Sequence, residues 1–241
     1  MAGLDTVRPL TDSPPPPRTA ATHSLTLDRG LRALEILRER SDGMSVAELA
    51  DALDTHRAAV YRLLAPLSEH HLIRRSPDGR YVLGAGLIEL AGGVQGRLQD
   101  EAEPVLRELA DRLGATTALT LRDGDEAVVA IVTSPRDQLV HLTYRTGMRH
   151  PLSAGAPGLA LLAAMPPRTP EPPEVSGARE RGWAQSTGQL LPGATGVAAA
   201  ILSAREPIAA LSAVWIAGIN VKQAGQAVAA AARDLTAQLR G

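Results

Sequence analysis

Residues 45–83, SVAELADALDTHRAAVYRLLAPLSEHHLIRRSPDGRYVL, read as helix, tight turn, helix and then a two-stranded basic hairpin. Ser45 and Glu48 stand three apart, the spacing of a capping box that satisfies two orphan backbone donors at a helix start. Val46, Leu49, Ala50 and Leu53 follow at helical period, and Asp54 falls where this helix must stop. Thr55 is expected to cap the next helix, in which Val60, Leu63, Leu64 and Leu67 share a buried face. At about 100° per residue, Ala58, Arg62 and Ala65 point the opposite way, with Arg57 and Tyr61 on a flank. Leu72–Arg75 and Arg80–Leu83 then read as short strands around Ser76–Gly79. There proline presets φ and glycine accepts a positive φ.

Helix, turn, helix and hairpin in this order form the pattern of a winged helix-turn-helix, which lays its second helix in the DNA major groove. Small residues beside one arginine and one tyrosine suit close approach to base edges and phosphates. Residues 55–80 hold five arginines against Glu69 and Asp78, whereas the whole chain has a formal charge of −1. The basic character is therefore local, as a phosphate-contacting face requires. The residues expected to contact DNA are Arg57, Ala58, Tyr61, Arg62, Arg74, Arg75 and Arg80.

A chain of 241 residues is expected to form two modest domains. Hydrophobic residues make up 44% but aromatics only 2%, with no Phe, so its cores must be built from Leu, Val, Ile and Ala. The absence of cysteine excludes disulfides, Cys-type zinc sites and thiol nucleophiles, and fits a cytoplasmic protein. No apolar run suits a membrane span, and the N-terminus lacks a signal-peptide pattern. Residues 1–22, with Pro14 to Pro17, read as a disordered leader. The expected organisation is a winged helix-turn-helix over 23–84, a linker helix over 85–100, and an effector-binding and oligomerisation domain over 101–241.

Before the reading motif, Leu27, Leu31, Leu34 and Leu37 predict a helix packed beneath it. Ile36 points away from that face, either toward another subunit or simply into solvent. Residues 85–99 predict a helix weakened by Gly92, Gly93 and Gly96, which either absorb motion or allow tight packing. Residues 102–113 predict an amphipathic helix ended by Gly114. Strands are expected at Thr116–Leu121, Ala127–Thr133 and Leu139–Tyr144, with Arg122–Asp125 as a hairpin turn. A helix over 157–164 precedes a proline-rich link from Met165 to Arg181. Two more strands, Ala194–Leu202 and Ile208–Trp215, precede a helix over Gln223–Leu239. Strands covered by helices give an α+β sandwich.

Pro151–Gly158 is the second stretch of interest. Ser153, Gly155 and Ala156 lead into a helix whose first turn carries Pro157. Exposed N–H groups and the helix dipole at such a start favour an anion, for example a carboxylate on a small metabolite. Pro157 removes one donor, and a tight turn with no ligand is the competing reading. Trp183 either lines a pocket or plugs the core. Enzyme readings find little support. Lys222, the only lysine, lies in no phosphate loop. The histidines show no metal spacing: His70 and His71 are adjacent and splay apart, and His141 and His150 suit packing or surface roles. No serine sits in a nucleophile elbow. Neither cofactor nor metal is expected.

Ser24-Leu25 through Arg29-Gly30-Leu31, Leu34-Glu35-Ile36-Leu37, Glu48-Leu49-Ala50, Val60-Tyr61-Arg62-Leu63-Leu64 and Asp78-Gly79-Arg80-Tyr81-Val82-Leu83-Gly84 resemble the IclR family of bacterial transcription regulators. The likeness continues through Pro151–Gly158, Leu161-Leu162-Ala163 and Arg181–Ser186, covering about residues 24 to 240. It implies an N-terminal winged helix-turn-helix, a linker helix and a C-terminal GAF/profilin-like α/β domain, assembled as a dimer or a dimer of dimers. It also implies an effector site at Ser153, Gly155, Ala156, Ser186, Gly196 and Ser212. Four features depart from the family pattern. Ala58-Ala59 replaces a common Ser-Thr pair, and His71 stands where glycine usually ends the second helix. The Met165–Arg181 link is short, and Gln189 occupies a usual glutamate position. Gly196 and Val214 fall where family members can carry polar ligand contacts. The expected function is a homo-oligomeric regulator of double-stranded DNA, a repressor, controlled by a small anionic organic effector. The alternatives are a regulator whose C-terminal domain serves only assembly or a protein partner and, last, an enzyme of the C-terminal fold.

Overall fold

The computed structural model describes residues 24–94, 96–136, 144–203 and 206–240. The leader over 1–22 and all but the last residue of the strand expected at 139–144 lie outside the described residues. The chain divides after Val94 into two compact units.

The first unit contains α1 (Leu25–Arg38), α2 (Val46–Ala52), α3 (Arg57–Glu69), β1 (Ile73–Arg75), β2 (Tyr81–Leu83) and α4 (Gly86–Gly92). The capping box at the start of α2 is complete. Ser45 Oγ accepts from the Glu48 N–H at 3.3 Å, and Glu48 Oε2 accepts from the Ser45 N–H at 2.7 Å. Asp54 turns the chain with φ +47. The cap of α3 is His56, one residue later than expected, and its side chain bonds no helix donor. Leu37, Leu49, Val60, Leu64 and Ile73 form the core.

The face of α1 differs from expectation. Leu27 and Leu31 are 62% and 51% exposed, while Ala33 and Leu37 are buried. Ile36, expected to point outward, packs against the core beside Leu53 and Leu63. The buried face of α1 is thus the row of Gly30, Ala33 and Leu37 rather than the leucine row. His71 ends α3 with φ +55, as its place in a glycine position suggested. The backbone at Gly84 lies so near this turn that an added Cβ would sit 2.1 Å from the His71 carbonyl oxygen.

The second unit contains α5 (Gly96–Leu113), β3 (Thr116–Asp123), β4 (Glu126–Thr133), β5 (Arg149–Pro151), α6 (Gly155–Ala164), α7 (Pro173–Arg181), β6 (Ala184–Thr187), β7 (Thr195–Ser203), β8 (Glu206–Trp215) and α8 (Val221–Gln238). Its strands form one antiparallel sheet in the order β5-β4-β3-β8-β7-β6. Alternation divides the faces. Val197, Ala199 and Ile201 of β7 and Leu211, Ala213 and Trp215 of β8 join Leu106 and Leu109 of α5 and Val228 and Leu235 of α8 in one core. On the other face Ala198 packs with Ala156, Leu159 and Ala160 of α6 and Val175 and Ala178 of α7. The chain is therefore an N-terminal winged helix-turn-helix followed by an α/β domain.

Three expectations about this unit change. The linker helix placed over 85–100 does not run through: α4 ends at Gly92, and α5 begins at Gly96 and continues to Leu113. Leu98 and Ala102 extend the stripe of Leu106 and Leu109, which makes a single amphipathic helix. The proline-rich link contains α7, because Pro173 at its first position has φ already set for a helix. Arg179 holds α7 in place through Glu171 and the carbonyls of Ala163 and Met165. The short strands β5 and β6 were not expected.

Trp183 plugs the core and faces α8 across Gly225, where an added Cβ would lie 2.3 Å from its ring. Gly225→Ala is expected to destabilise the protein by about 1–3 kcal/mol through overpacking. Thermal or urea unfolding checks this, and an unchanged midpoint contradicts the tight contact.

Candidate functional site

The outward face of α3 carries Arg57, Ala58, Tyr61, Arg62 and Ala65, all exposed, with Tyr61 57% accessible. Val60, Leu63 and Leu64 anchor the opposite face. The wing is a hairpin with Arg74 paired to Val82 and Arg75 to Tyr81. Arg74 and Arg75 are exposed. Arg75 also donates from Nε to the Gly79 carbonyl at 3.2 Å, which braces the hairpin turn.

Arg80 belongs to a different set. Its Nε and Nη2 donate to the Gly43 carbonyl at 3.2 and 3.0 Å, and Nη2 also reaches Glu48 at 2.9 Å. A guanidinium held between a carbonyl and a carboxylate is a strut from the wing to α2, so Arg80 has fewer free donors to offer a phosphate than Arg74 or Arg75. The Glu48 carboxyl is held at about 2, below its ordinary 4.5, first by the Ser45 backbone N–H, then by the Ser45 hydroxyl and by Arg80. Because that value is depressed, the contribution to stability is present above pH 4.5 and lost as pH falls toward 2. Arg80→Ala is expected to loosen the wing and shift acid unfolding upward in pH, and Glu48→Gln to flatten that acid window. Far-UV circular dichroism against pH checks both, and superimposable acid transitions contradict the strut.

In the second unit, alternation sets the floor of a cavity. Gly196 pairs with Val214, and Ala198 with Ser212, across β7 and β8. Gly196, Ser212 and Val214 line the cavity together with Ala156 and Pro157 at the start of α6. Ser186, paired with Gly196 from β6, forms one rim. Gln189, Leu190 and Leu191 close over the top, and Tyr144 closes a side. The cavity volume is about 30 Å³, the scale of one or two water molecules.

The anion cradle expected at the start of α6 is already filled by protein groups. Ala154 N–H donates to the Pro151 carbonyl at 3.1 Å. Gly155 N–H donates to Gln189 Oε1 at 2.8 Å, and Ala156 N–H to Ser186 Oγ at 2.8 Å. Pro157 has no N–H to give. Since Ala154 is the N-cap, the next donor turns into the helix. Gly155 requires its φ of +77, and an added Cβ there would lie 2.4 Å from Leu190.

Of the expected effector residues, Ala156, Ser186, Gly196 and Ser212 meet around the cavity. Ser153 is exposed and does not line it, and Gly155 is buried behind Leu190. Burial pushes the Tyr144 hydroxyl up from its ordinary pKa, against the opposing influence of the Thr120 and Ser212 hydroxyls. His150 is buried with Nδ1 3.1 Å from the Pro151 carbonyl oxygen, and burial pushes its pKa down. His141 lies outside the described residues. Sequence reasoning missed Tyr144 and the leucine lid; the one available signal was the pair of glycines, Gly188 and Gly193, bracketing Gln-Leu-Leu-Pro. Both adopt positive φ.

Comparison with known proteins gives one answer for both units. The IclR helix-turn-helix domain matches residues 26–77, and the bacterial transcriptional regulator IclR C-terminal domain matches residues 95–171. Between them they cover more than half of the chain. An HTH-type transcriptional regulator of Mycobacterium tuberculosis is 34% identical over 140 residues, 58% of this chain and 54% of that protein. The transcriptional repressor IclR of Escherichia coli is 27% identical over 62% of this chain and 55% of its own length. The matched stretch thus spans about half the length of these curated relatives. Among solved structures, an IclR homolog from Microbacterium hydrocarbonoxydans complexed with 4-hydroxybenzoate aligns with TM-score 0.77 and 25% identity, over 89% of this chain and 99% of that one. The Thermotoga maritima IclR aligns with TM-score 0.72 and 25% identity, over 90% and 99%. The local motifs, the two-unit architecture and these matches agree, and the chain belongs to the IclR family of bacterial transcription regulators.

Proposed function

We propose that this protein is a sequence-specific DNA-binding transcription regulator, a repressor, whose C-terminal unit takes a small organic effector in the cavity beneath Leu190. The observation that carries the reading is the exposed face of α3, with Arg57, Tyr61 and Arg62 beside the small Ala58 and Ala65, presented together with the wing arginines 74 and 75. A helix with small residues and arginine suits the major groove, and flanking arginines suit phosphates. The effector part rests on the cavity lined by Ser186, Ser212 and Tyr144 and on the neighbour that binds 4-hydroxybenzoate. In this reading the protein acts in the cytoplasm and catalyses no reaction. Among the described residues no helix is long and apolar enough to cross a membrane.

The small cavity and its self-capped helix start favour one alternative, a C-terminal unit that serves assembly or a protein partner alone. Calorimetric titration with small organic molecules separates the two, because only a sensing unit binds one and alters DNA affinity. For the DNA-binding part, affinity for an operator duplex is expected to fall at least tenfold between roughly 50 and 200 mM salt. Arg62→Ala and Arg74→Ala are expected to weaken binding without changing the unfolding midpoint, in contrast to Arg80→Ala. Fluorescence anisotropy across a salt series checks this, and salt-independent affinity contradicts it.

A single recognition helix reads few base pairs, so a regulator of this kind needs paired copies. The first unit exposes Leu25, Leu27 and Leu31 on α1, and Ile88 and Leu90 on α4 with Val94 beyond it, each more than half accessible. Apolar exposure of this kind marks an interaction surface, and a homodimer or tetramer is proposed to cover it. Ile88→Asp is expected to shift the protein toward monomer and weaken binding to a palindromic site. Sedimentation velocity checks the mass, and an unaltered oligomer contradicts the role of α4.

A further inference from the structure

We infer that the cavity beneath Leu190 selects an uncharged ligand, a small apolar body bearing a hydroxyl or carbonyl, over the corresponding carboxylate, and that Gln189 sets this preference. The inference rests on the reading of this cavity as the effector site, and it names the chemical class that the site accepts. A helix start attracts anions only through donors that have no other partner. Here each of those donors is used within the protein: Ala154 by Pro151, Gly155 by Gln189 and Ala156 by Ser186. Both side-chain acceptors are neutral. A carboxylate must therefore displace the Gln189 carbonyl from Gly155, or the Ser186 hydroxyl from Ala156, before it gains a backbone bond.

The remaining walls offer it hydroxyl donors from Ser212 and Tyr144 but no opposite charge to pair with. Among the described residues, no lysine, arginine or histidine lines the cavity. Leu190, Leu191, Val214 and Ala194 supply an apolar surface, and a buried anion without a partner is costly. Tyr144 reports the same environment from inside. Its own negative form is disfavoured by burial, and a carboxylate placed beside it meets that penalty. An uncharged hydroxyl or carbonyl faces a different balance. Ser212, buried and only 3.4 Å from the Ala118 carbonyl oxygen, and the amide N–H groups of Gln189 can exchange hydrogen bonds with it while the α6 caps stay closed.

Gln189 lies on the exposed rim, so replacing it leaves the core intact. The test uses the full chain at neutral pH and fixed ionic strength, with calorimetric titration of three matched pairs. These are propanol and propionate, benzyl alcohol and benzoate, and 4-hydroxybenzyl alcohol and 4-hydroxybenzoate. The expected result is an alcohol that binds about tenfold or more tightly than its carboxylate in at least one pair. Gln189→Ala frees the Gly155 N–H and is expected to narrow that ratio by strengthening the carboxylate. Gln189→Glu places a fixed anion on the same donor and is expected to widen it. A carboxylate that binds wild type as tightly as its alcohol overturns the inference and leaves the sensing role standing. A ratio untouched by both variants overturns the role of Gln189. If no member of any pair binds, the inference and the sensing role fall together, while duplex binding by the same sample decides the DNA-binding reading separately.

Discussion

The side-chain alternation along β7 and β8 is the constraint on which the second unit depends. Successive residues of a strand face opposite sides. Once Val197, Ala199 and Ile201, with Leu211, Ala213 and Trp215, are committed to the core under α5 and α8, their neighbours are committed as well. Gly196, Ser212 and Val214 must face α6, and there they make the cavity floor. A one-residue slip would drive Ser212 into the core and Leu211 into the cavity. With no phenylalanine in the chain, these cores are filled by alanine and leucine, which brings elements close together. The contact of Gly225 with the Trp183 ring is the tightest expression of that packing.

Local signals were legible where neighbours in sequence decide the outcome. The Ser45–Glu48 box, the buried row of α3, the Pro-Asp-Gly wing turn and the long strands of the sheet all depend on residues a few positions apart. His71 in a left-handed turn was legible by a different route, from the glycine that relatives carry at that place. Outcomes decided between distant segments were harder to read. The burial of Ala33 in place of Leu31 depends on how closely α1 meets the other helices. The position of Arg80 depends on Gly43 and Glu48, of which the sequence shows only that charges of opposite sign exist. A run of prolines hid α7, because its first residue starts a helix as readily as it breaks one.

The candidate sites divide along the same line. The exposed face of α3 follows from helical period alone, so Arg57, Tyr61 and Arg62 were found without a structure. The cavity needs three strands, the start of α6 and the 188–193 segment to converge. Resemblance to a family supplied Ala156, Ser186, Gly196 and Ser212, but it could not supply the Gln189 bond to Gly155, which turns an open helix end into a closed one. Ser153 shows the opposite error: it sits in the right loop but faces solvent.

The strut from Arg80 to Gly43 and Glu48 has a consequence beyond stability. It ties the wing to the start of α2, while α3 is anchored to the same core by Val60 and Leu64. The wing and reading helix are thus set at one spacing before any duplex arrives. Little conformational freedom remains to be lost on association, which favours tight binding from a small contact area. A fixed spacing is also a gauge. In the proposed DNA-binding role, a duplex whose groove width places phosphates off that spacing would be disfavoured for its shape, even where its bases match.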